Sequence, residues 1–281
     1  MIDLHTHTTA SDGSHSPAEL MHLARDARLE AIAVTDHDTL AGLDEAQSAA
    51  QALDLELVPG VELACHCQVG TLHMLGYFLD PHNQTFNNLL SDMIASRAQR
   101  NPQIIAKLND LGYELTMDDV CAQAGGPIIS RLHIAQAMLE KGYVRSTDEA
   151  FGRFLGDTGS AYAQRTEPDP AEAIDAIHSA GGLAVVAHPV HLRAKSELEL
   201  TTRLKLLADV GLDGIEVWYP EHNAVLTDQL WRFCRKAGLA AIGGSDFHGS
   251  VRPHISLGIG RGGMNIPIEI LHRLKERLNR R

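Results

Sequence analysis

The chain has 281 residues, 44% hydrophobic and 21% charged, a globular composition that excludes a disordered, collagenous or fibrous polypeptide. Its formal charge of −12 argues against non-specific binding to duplex DNA, which favours basic surfaces. Sixteen histidines outnumber the aromatics (6 Phe, 5 Tyr, 2 Trp), and histidine is both the commonest metal ligand and the acid–base group closest to neutrality.

Residues 1–5 read as a strand. Ser16-Pro17-Ala18-Glu19 is a capping box with proline at the first helical position, and Leu20, Leu23, Ala24 and Ala27 then form one apolar face. Ala31–Thr35 is a short apolar strand and 42–53 an alanine-rich helix. Two strands follow at 55–62 and 71–78, joined by a turn around Gly70. This order predicts a mainly parallel sheet with helices outside it.

From 84 to 180 the periods are helical: Asn83–Leu111, kinked or broken at Pro102, then 116–123, 130–141 and 148–154, with a further helix start at Asp169-Pro170. The expected organisation is a barrel domain built from 1–83 and 181–281, with an all-α insertion at 84–180. The βα rhythm resumes with strands at 183–187, 214–218, 239–243 and 255–259, and helices near 196–210 and 222–237. The cationic end of the last helix, 267–279, complements the helix dipole. Four cysteines fit no zinc-ribbon spacing and read as free thiols of a reducing compartment. No apolar run spans a membrane and no signal peptide is recognisable, so a cytoplasmic protein off the membrane is expected.

Metal-binding side chains recur at the C-terminal ends of successive strands, where parallel α/β barrels place their active sites. His5-Thr6-His7 follows the first strand, Asp36-His37-Asp38 the second and Glu62 the third; His73 lies in the centre of the fourth; then come His188-Pro189, Glu216 and Asp246-Phe247-His248. A His-x-His pair on extended chain points both rings to one face. Each element alone has an ordinary explanation as a solvated turn or a packed core histidine. Together they predict a mixed imidazole–carboxylate site suited to Mn, Fe or Zn. No Gly-x-Ser-x-Gly elbow or P-loop is present, and no lysine stands at a strand end to form a Schiff base.

Asp3-Leu4-His5-Thr6-His7, Ser11-Asp12-Gly13, Thr35-Asp36-His37-Asp38, Gly60-Val61-Glu62, His188-Pro189 and Ser245-Asp246-Phe247-His248-Gly249 resemble the motif set of the PHP (polymerase and histidinol phosphatase) family. Ser130-Arg131-Leu132-His133 within the helical region resembles the bacterial nucleoside 3′,5′-bisphosphate phosphatases, a subgroup that includes 5′-to-3′ exonucleases on short RNA. The resemblance implies a distorted (β/α)7 barrel holding two to three divalent cations, most often Mn2+, with Zn2+, Fe2+ or Mg2+ as alternatives. It implies His5, His7, Glu62 and Asp246 at the first cation, Glu62, His73 and His188 at the second, and Asp12, His37 and His248 at the third. Many relatives carry histidine where Asp12 stands.

The expected reaction is hydrolysis of the 3′-phosphate of a nucleoside 3′,5′-bisphosphate by an activated hydroxide. Arg131 would neutralise phosphoryl charge and His222 would protonate the leaving oxygen, with Asp246 essential. Asp12, His37, Arg131, His133, His191 and His222 are expected to contact substrate, a small phosphorylated nucleotide or a short RNA. Arg97 fits either an exposed helix face or the cleft. The other readings are an exonuclease on short RNA, a histidinol-phosphate-type phosphatase and, from a different class, a non-catalytic metal-binding module.

Overall fold

Seven strands run in spatial order β1 (Ile2–Asp3), β2 (Ala31–Val34), β3 (Glu56–Cys65), β4 (Leu72–Tyr77), β5 (Leu183–Val186), β6 (Gly214–Trp218) and β7 (Ala240–Gly243) in a computed structural model that describes residues 1–126 and 128–281. All neighbouring pairs are parallel except β3–β4 and β4–β5, because β4 runs against the rest. The sheet curls until β7 meets β1. Leu4 N–H donates to Gly243 O at 3.3 Å, Asp246 N–H to His5 O at 2.9 Å and His7 N–H to Phe247 O at 2.9 Å. This is the distorted seven-stranded α/β barrel that the sequence led us to expect.

Strand alternation sorts the side chains into layers. Val61, Leu63, Leu72, Met74, Ile215 and Val217 face outward, into a cluster with the helices α7 (Pro170–Ser179), α8 (Glu197–Asp209) and α9 (Ala224–Ala237). Their neighbours Glu62, His73 and Glu216 are thereby turned toward the barrel axis. Below them Ala31, Ala33, Leu75, Tyr77, Leu183 and Val185 fill the interior, and Ile270, Leu271 and Leu274 of α10 (Glu269–Asn279) pack against that cluster. Helices α1 (Pro17–Asp26) and α2 (Leu43–Ala52) cover the outer face of β2. The predicted capping box of α1 is present: Ser16 accepts from Glu19 N–H and the Glu19 side chain accepts from Ser16 N–H.

Among the described residues, no strand intervenes between β4 and β5. The segment holds α3 (Gln84–Asp110), α4 (Met117–Cys121), α5 (Arg131–Glu140), α6 (Thr147–Ala150), a π-helical turn at Phe151–Leu155, and α7. Helix α3 runs through Pro102 without a break. Its first half and α7 pack on the barrel, through Phe86, Leu90, Met93, Ile174 and Ile177. A separate core of Ile104, Leu108, Val120, Ile134, Met138, Phe154 and Leu155 lies within 104–163. The independent packing is therefore narrower than the expected 84–180.

Three sequence expectations are corrected. Residues 255–259 form no strand: Gly258 and Gly260 adopt φ of +77° and +58°, and the chain turns back through a single Ser256–Gly260 bridge. Glu62 does not end its strand; it lies within β3, paired with Leu75 of β4, and β3 continues to Cys65. His73 stands at the start of β4, not its centre; because β4 is reversed, its first residues lie at the rim where the parallel strands end.

Tyr77 is fully buried and its hydroxyl donates to Leu4 O at 2.6 Å, tying β4 to the chain just before the first histidines. Tyr77→Phe leaves that buried carbonyl without its donor. We expect a loss of about 1–3 kcal/mol, read as a lowered midpoint in urea unfolding.

Candidate metal centre

Backbone geometry at the rim aims the donors. Asp38, His188 and Asp246 have φ of +55°, +28° and +55°, a sparsely populated region that persists only where surrounding contacts enforce it. Those contacts are visible. Asp3 accepts from Ser245 N–H and Oγ–H (2.9 and 2.5 Å) and from Gly258 N–H (2.8 Å), which fixes the turn into Asp246. Asp36 accepts from Thr8 N–H, Thr8 Oγ1–H and Ser11 Oγ–H (2.8, 2.7 and 2.6 Å), which holds the loop carrying Asp12. Gly244 lies so close to His5 that a Cβ there would overlap its backbone.

Glu62 sits at the middle of the resulting cluster. Its Oε2 stands 3.3 Å from His5 Nε2, 3.2 Å from His7 Nε2 and 3.2 Å from His37 Nδ1. Its Oε1 stands 2.8 Å from both His73 Nδ1 and His188 Nε2. Asp246 Oδ1 lies 3.6 Å from His5 Nε2 and 3.2 Å from His7 Nε2. Asp12 approaches His248 Nε2 at 3.4 Å, His7 Nδ1 at 3.9 Å and His37 Nε2 at 4.0 Å. Three groups of convergent donors result: His5, His7, Glu62 and Asp246; His37, Glu62 and His73; and His7, Asp12, His37 and His248. All nine residues singled out in the sequence thus meet at one end of the barrel. His7 and His37 each serve two groups, and His188 joins through Glu62 Oε1.

The donors fit divalent cations. His5 Nε2, His7 Nε2, His37 Nδ1 and Glu62 Oε2 are buried without a hydrogen-bond partner, yet they point at one another. Ligand atoms around one ion at about 2.0–2.2 Å stand about 3.0–3.5 Å apart, the spacing seen among these atoms. Neighbouring groups hold the rings. Glu216, buried in β6, accepts from His5 Nδ1–H at 3.0 Å and from His188 N–H at 2.7 Å. The first contact leaves His5 Nε2 as the free donor. Tyr219 Oη–H and Arg252 donate to Asp246 Oδ2 at 3.0 and 2.5 Å, turning its other oxygen to the histidines.

Protonation follows from burial and these neighbours. Burial lowers His7, but Asp246 and Glu62 outweigh it and raise it to about 9. Burial also lowers His5, where Glu216, Glu62 and Asp246 raise it well above the usual value. His37 is held at about 3, mainly by burial. Burial alone would raise the Glu62 carboxyl, yet the facing His37, His73 and His5 hold it well below the usual range.

A cleft of about 430 Å³ runs from Asp12, His37, His73 and His248 to Arg97, Arg100, Arg131 and Arg165. A second lobe of about 320 Å³ opens past Arg131 toward Thr158, His191 and Arg193. Arg131, at the start of α5, faces both; it donates to Leu155 O at 3.0 Å and lies 3.6 Å from Asp157. Arg97 is buried on Asp38 at 2.5 Å, not on an exposed helix face, and Arg165 joins the same carboxylate at 3.1 Å.

His133 and His222 depart from their expected roles. His133 is buried, and its Nδ1 accepts from Ser130 N–H at 3.1 Å, capping α5 where cleft-facing donation was expected. His222 lines neither lobe; its Nδ1–H donates to Val217 O at 2.9 Å and burial lowers its pKa. His191 reaches the second lobe, but burial and the neighbouring His188 hold it at about 3, so it is a neutral ring there. Sequence reasoning missed Glu216 as the orienter of His5, although a lone carboxylate in the apolar run Gly214–Trp218 is a signal. It also missed Arg252, four residues past His248, and Arg100 and Arg165, which no local pattern marks.

Cation uptake must expel the protons of His5 and His7. Because their pKa values are raised, apparent affinity should increase as pH rises from 6 toward 9, with proton release. Calorimetry with Mn2+ in buffers of different ionisation enthalpy measures both. Glu62→Gln, which removes the charge facing five imidazoles, should lose at least two bound ions by elemental analysis while its circular dichroism is kept.

The family model described as the PHP domain matches residues 3–165. A 5′-3′ exoribonuclease of Haemophilus influenzae is 35% identical over 88% of this chain and 89% of its own length. A 3′,5′-nucleoside bisphosphate phosphatase of Chromobacterium violaceum is 31% identical over 88% and 87%. A solved structure from Bifidobacterium adolescentis, assigned to the metal-dependent phosphoesterases, superposes with a TM-score of 0.88 at 30% identity, covering 98% of this chain and 96% of the other. The chain belongs to the PHP-domain family, whose relatives here are hydrolytic, metal-dependent phosphoesterases.

Proposed function

We propose that the chain hydrolyses the 3′-phosphate of nucleoside 3′,5′-bisphosphates. The observation that carries this reading is the convergence of eight histidine and carboxylate side chains able to hold metal, with His188 beside them on Glu62, at a cleft whose far wall is built from arginines. His5, His7, Glu62 and Asp246 would hold one cation, Glu62, His73 and His188 a second, and Asp12, His37 and His248, with His7, a third. The mixture of imidazole and carboxylate suits Mn2+, with Zn2+, Fe2+ and Mg2+ next. Such ions supply an activated water and neutralise phosphoryl charge. Arg131 and Arg252 border both lobes and offer guanidinium forks to the phosphoryl oxygens. Asp246 serves two partners, one oxygen toward His5 and His7 and the other on Arg252, so it would hold a cation with one oxygen while fixing the arginine with the other. Of the helical segment 84–180, the part with its own core within 104–163 would cover substrate through Arg131, Phe151 and Tyr162, while the first half of α3 and α7 brace the barrel of 1–83 and 181–281.

A second reading, 5′-to-3′ exonuclease action on short RNA, is favoured by the open second lobe past Arg193 and by the higher identity to the exoribonuclease. Both readings break the bond between phosphorus and the 3′-oxygen of a nucleotide. They differ in whether the phosphoryl group carries a further chain.

Phosphate release from a mononucleotide bisphosphate, compared with shortening of a 5′-phosphorylated RNA ladder, separates them. The proposed reading predicts the larger kcat/KM on the bisphosphate. Arg131→Met should lower kcat/KM by about 10²–10³, and Asp246→Asn should abolish turnover with the fold intact. Full turnover by Asp246→Asn in chelated buffer would overturn the proposal.

A further inference from the structure

A second cavity, of about 520 Å³, opens between α9 and α10 and shares no lining residue with either lobe of the cleft. The start of β7 forms part of its floor. Ala240 and Ala241 of that strand are only half-buried, so the helices leave a gap in the outer layer at this point. Both tryptophans of the chain line the gap: Trp218, half-buried at the end of β6, and Trp231 on α9, 39% exposed.

Five arginines surround this apolar floor against two carboxylates, in a chain whose formal charge is −12. The carboxylates are already engaged. Asp213 accepts from Arg277 Nε–H at 3.1 Å and from Arg281 at 2.7 Å, and Glu276 lies 3.6 Å from Arg280. Among the described residues, Arg235 and Arg273 enter no ion pair. The Arg235 guanidinium instead sits 4.8 Å from the centre of the Trp231 ring. An unpaired arginine at a surface is ordinary, because water solvates it. What sets these two apart is their place at the edge of a cavity that holds both indoles.

We infer that this cavity is a second, non-catalytic nucleotide site, which takes a free nucleoside monophosphate. The base stacks on indole over the apolar floor. The phosphate takes Arg273 and Arg235 as charge-assisted partners and supplies the negative charge that Asp213 and Glu276 do not. The volume lies within the range of small-ligand sites, about 300–1,000 Å³. An inorganic anion would leave the indoles unused, and an uncharged nucleoside would leave the arginines unused. None of the metal-holding groups found among the described residues lies here, so the nucleotide is held and not cleaved. The assignment is independent of which phosphoester the cleft hydrolyses.

Because both tryptophans line the cavity, intrinsic fluorescence reports its occupancy. The Mn2+-loaded protein is titrated with 5′-AMP, adenosine and inorganic phosphate. The expected result is a saturable emission change with 5′-AMP, and binding of adenosine and of phosphate each about tenfold weaker or more. Arg273 is exposed, so its replacement leaves the fold and the Arg235–Trp231 stack in place. Arg273→Gln should weaken 5′-AMP about tenfold and Arg273→Glu abolish the response, with kcat/KM at the cleft kept within about twofold. Arg131→Met, in the cleft, should leave the titration unchanged. A response that survives Arg273→Glu, or is lost in Arg131→Met, puts the nucleotide in the cleft and overturns the assignment. So does phosphate or adenosine binding as tightly as 5′-AMP. A nuclease-resistant 2′-O-methyl phosphorothioate hexanucleotide that binds more than about tenfold tighter than 5′-AMP gives the cavity to a single strand instead. A wild-type dimer in sedimentation that dissociates in Arg273→Glu gives it to a second copy of the chain. Either result overturns the proposal.

Discussion

A carboxylate with no access to solvent faces five imidazoles at the end of this barrel, and the surrounding structure is organised to tolerate that. Glu62 is fully buried and presents Oε2 to His5, His7 and His37 and Oε1 to His73 and His188. Isolated ions in such a place are prohibitively costly, so they must be paired or bind metal. The outer contacts do the placing. Glu216 fixes His5, Arg252 and Tyr219 fix Asp246, and Asp3 and Asp36 pin the loops that bring Asp246 and Asp12 to the rim. Removing one of these would not remove a ligand; it would misdirect one.

Strand direction is the second constraint. In a wholly parallel barrel, every rim residue comes from the end of its strand. Here β4 is antiparallel to both neighbours, and His73 reaches the same rim from the beginning of its strand. Alternation along β3, β4 and β6 keeps 61 and 63, 72 and 74, and 215 and 217 outside, so one charged or imidazole side chain from each strand enters the barrel. The lower interior is left to alanine, leucine, valine, isoleucine and one tyrosine. Polar chemistry and apolar core thus share one interior at different heights.

This layering explains what could be read from the residues and what could not. The clustering histidines and carboxylates were legible because they recur beside short apolar runs, as in His5-Thr6-His7 and Asp246-Phe247-His248. The barrel was legible from the βα rhythm together with those motifs. The reversal of β4 was not, since a six-residue apolar run carries no sign of direction. The supposed strand at 255–259 failed because hydrophobic content outweighed its glycines, whose positive φ values the chain needs to turn back toward Asp3. His133 and His222 were singled out as bare histidines, and only their hydrogen bonds to Ser130 and Val217 show that each has a local task.

Arginine placement resolves the tension between an acidic chain and an anionic substrate. A formal charge of −12 would repel a phosphorylated ligand if it were spread evenly. Instead Arg97, Arg100, Arg131, Arg165 and Arg252 line one cavity with the carboxylates and imidazoles of the metal cluster. Most of these arginines are neutralised by Asp38, Glu167, Asp157 or Asp246, so they set geometry more than field. The exception, Arg100, stands on a helix between β4 and β5, whereas the metal donors stand on the barrel rim. Four of the five cleft arginines therefore come from the helical segment, and the histidine–carboxylate cluster comes from the barrel. A change in the helical part can thus alter the arginine wall while the barrel keeps the cluster unchanged.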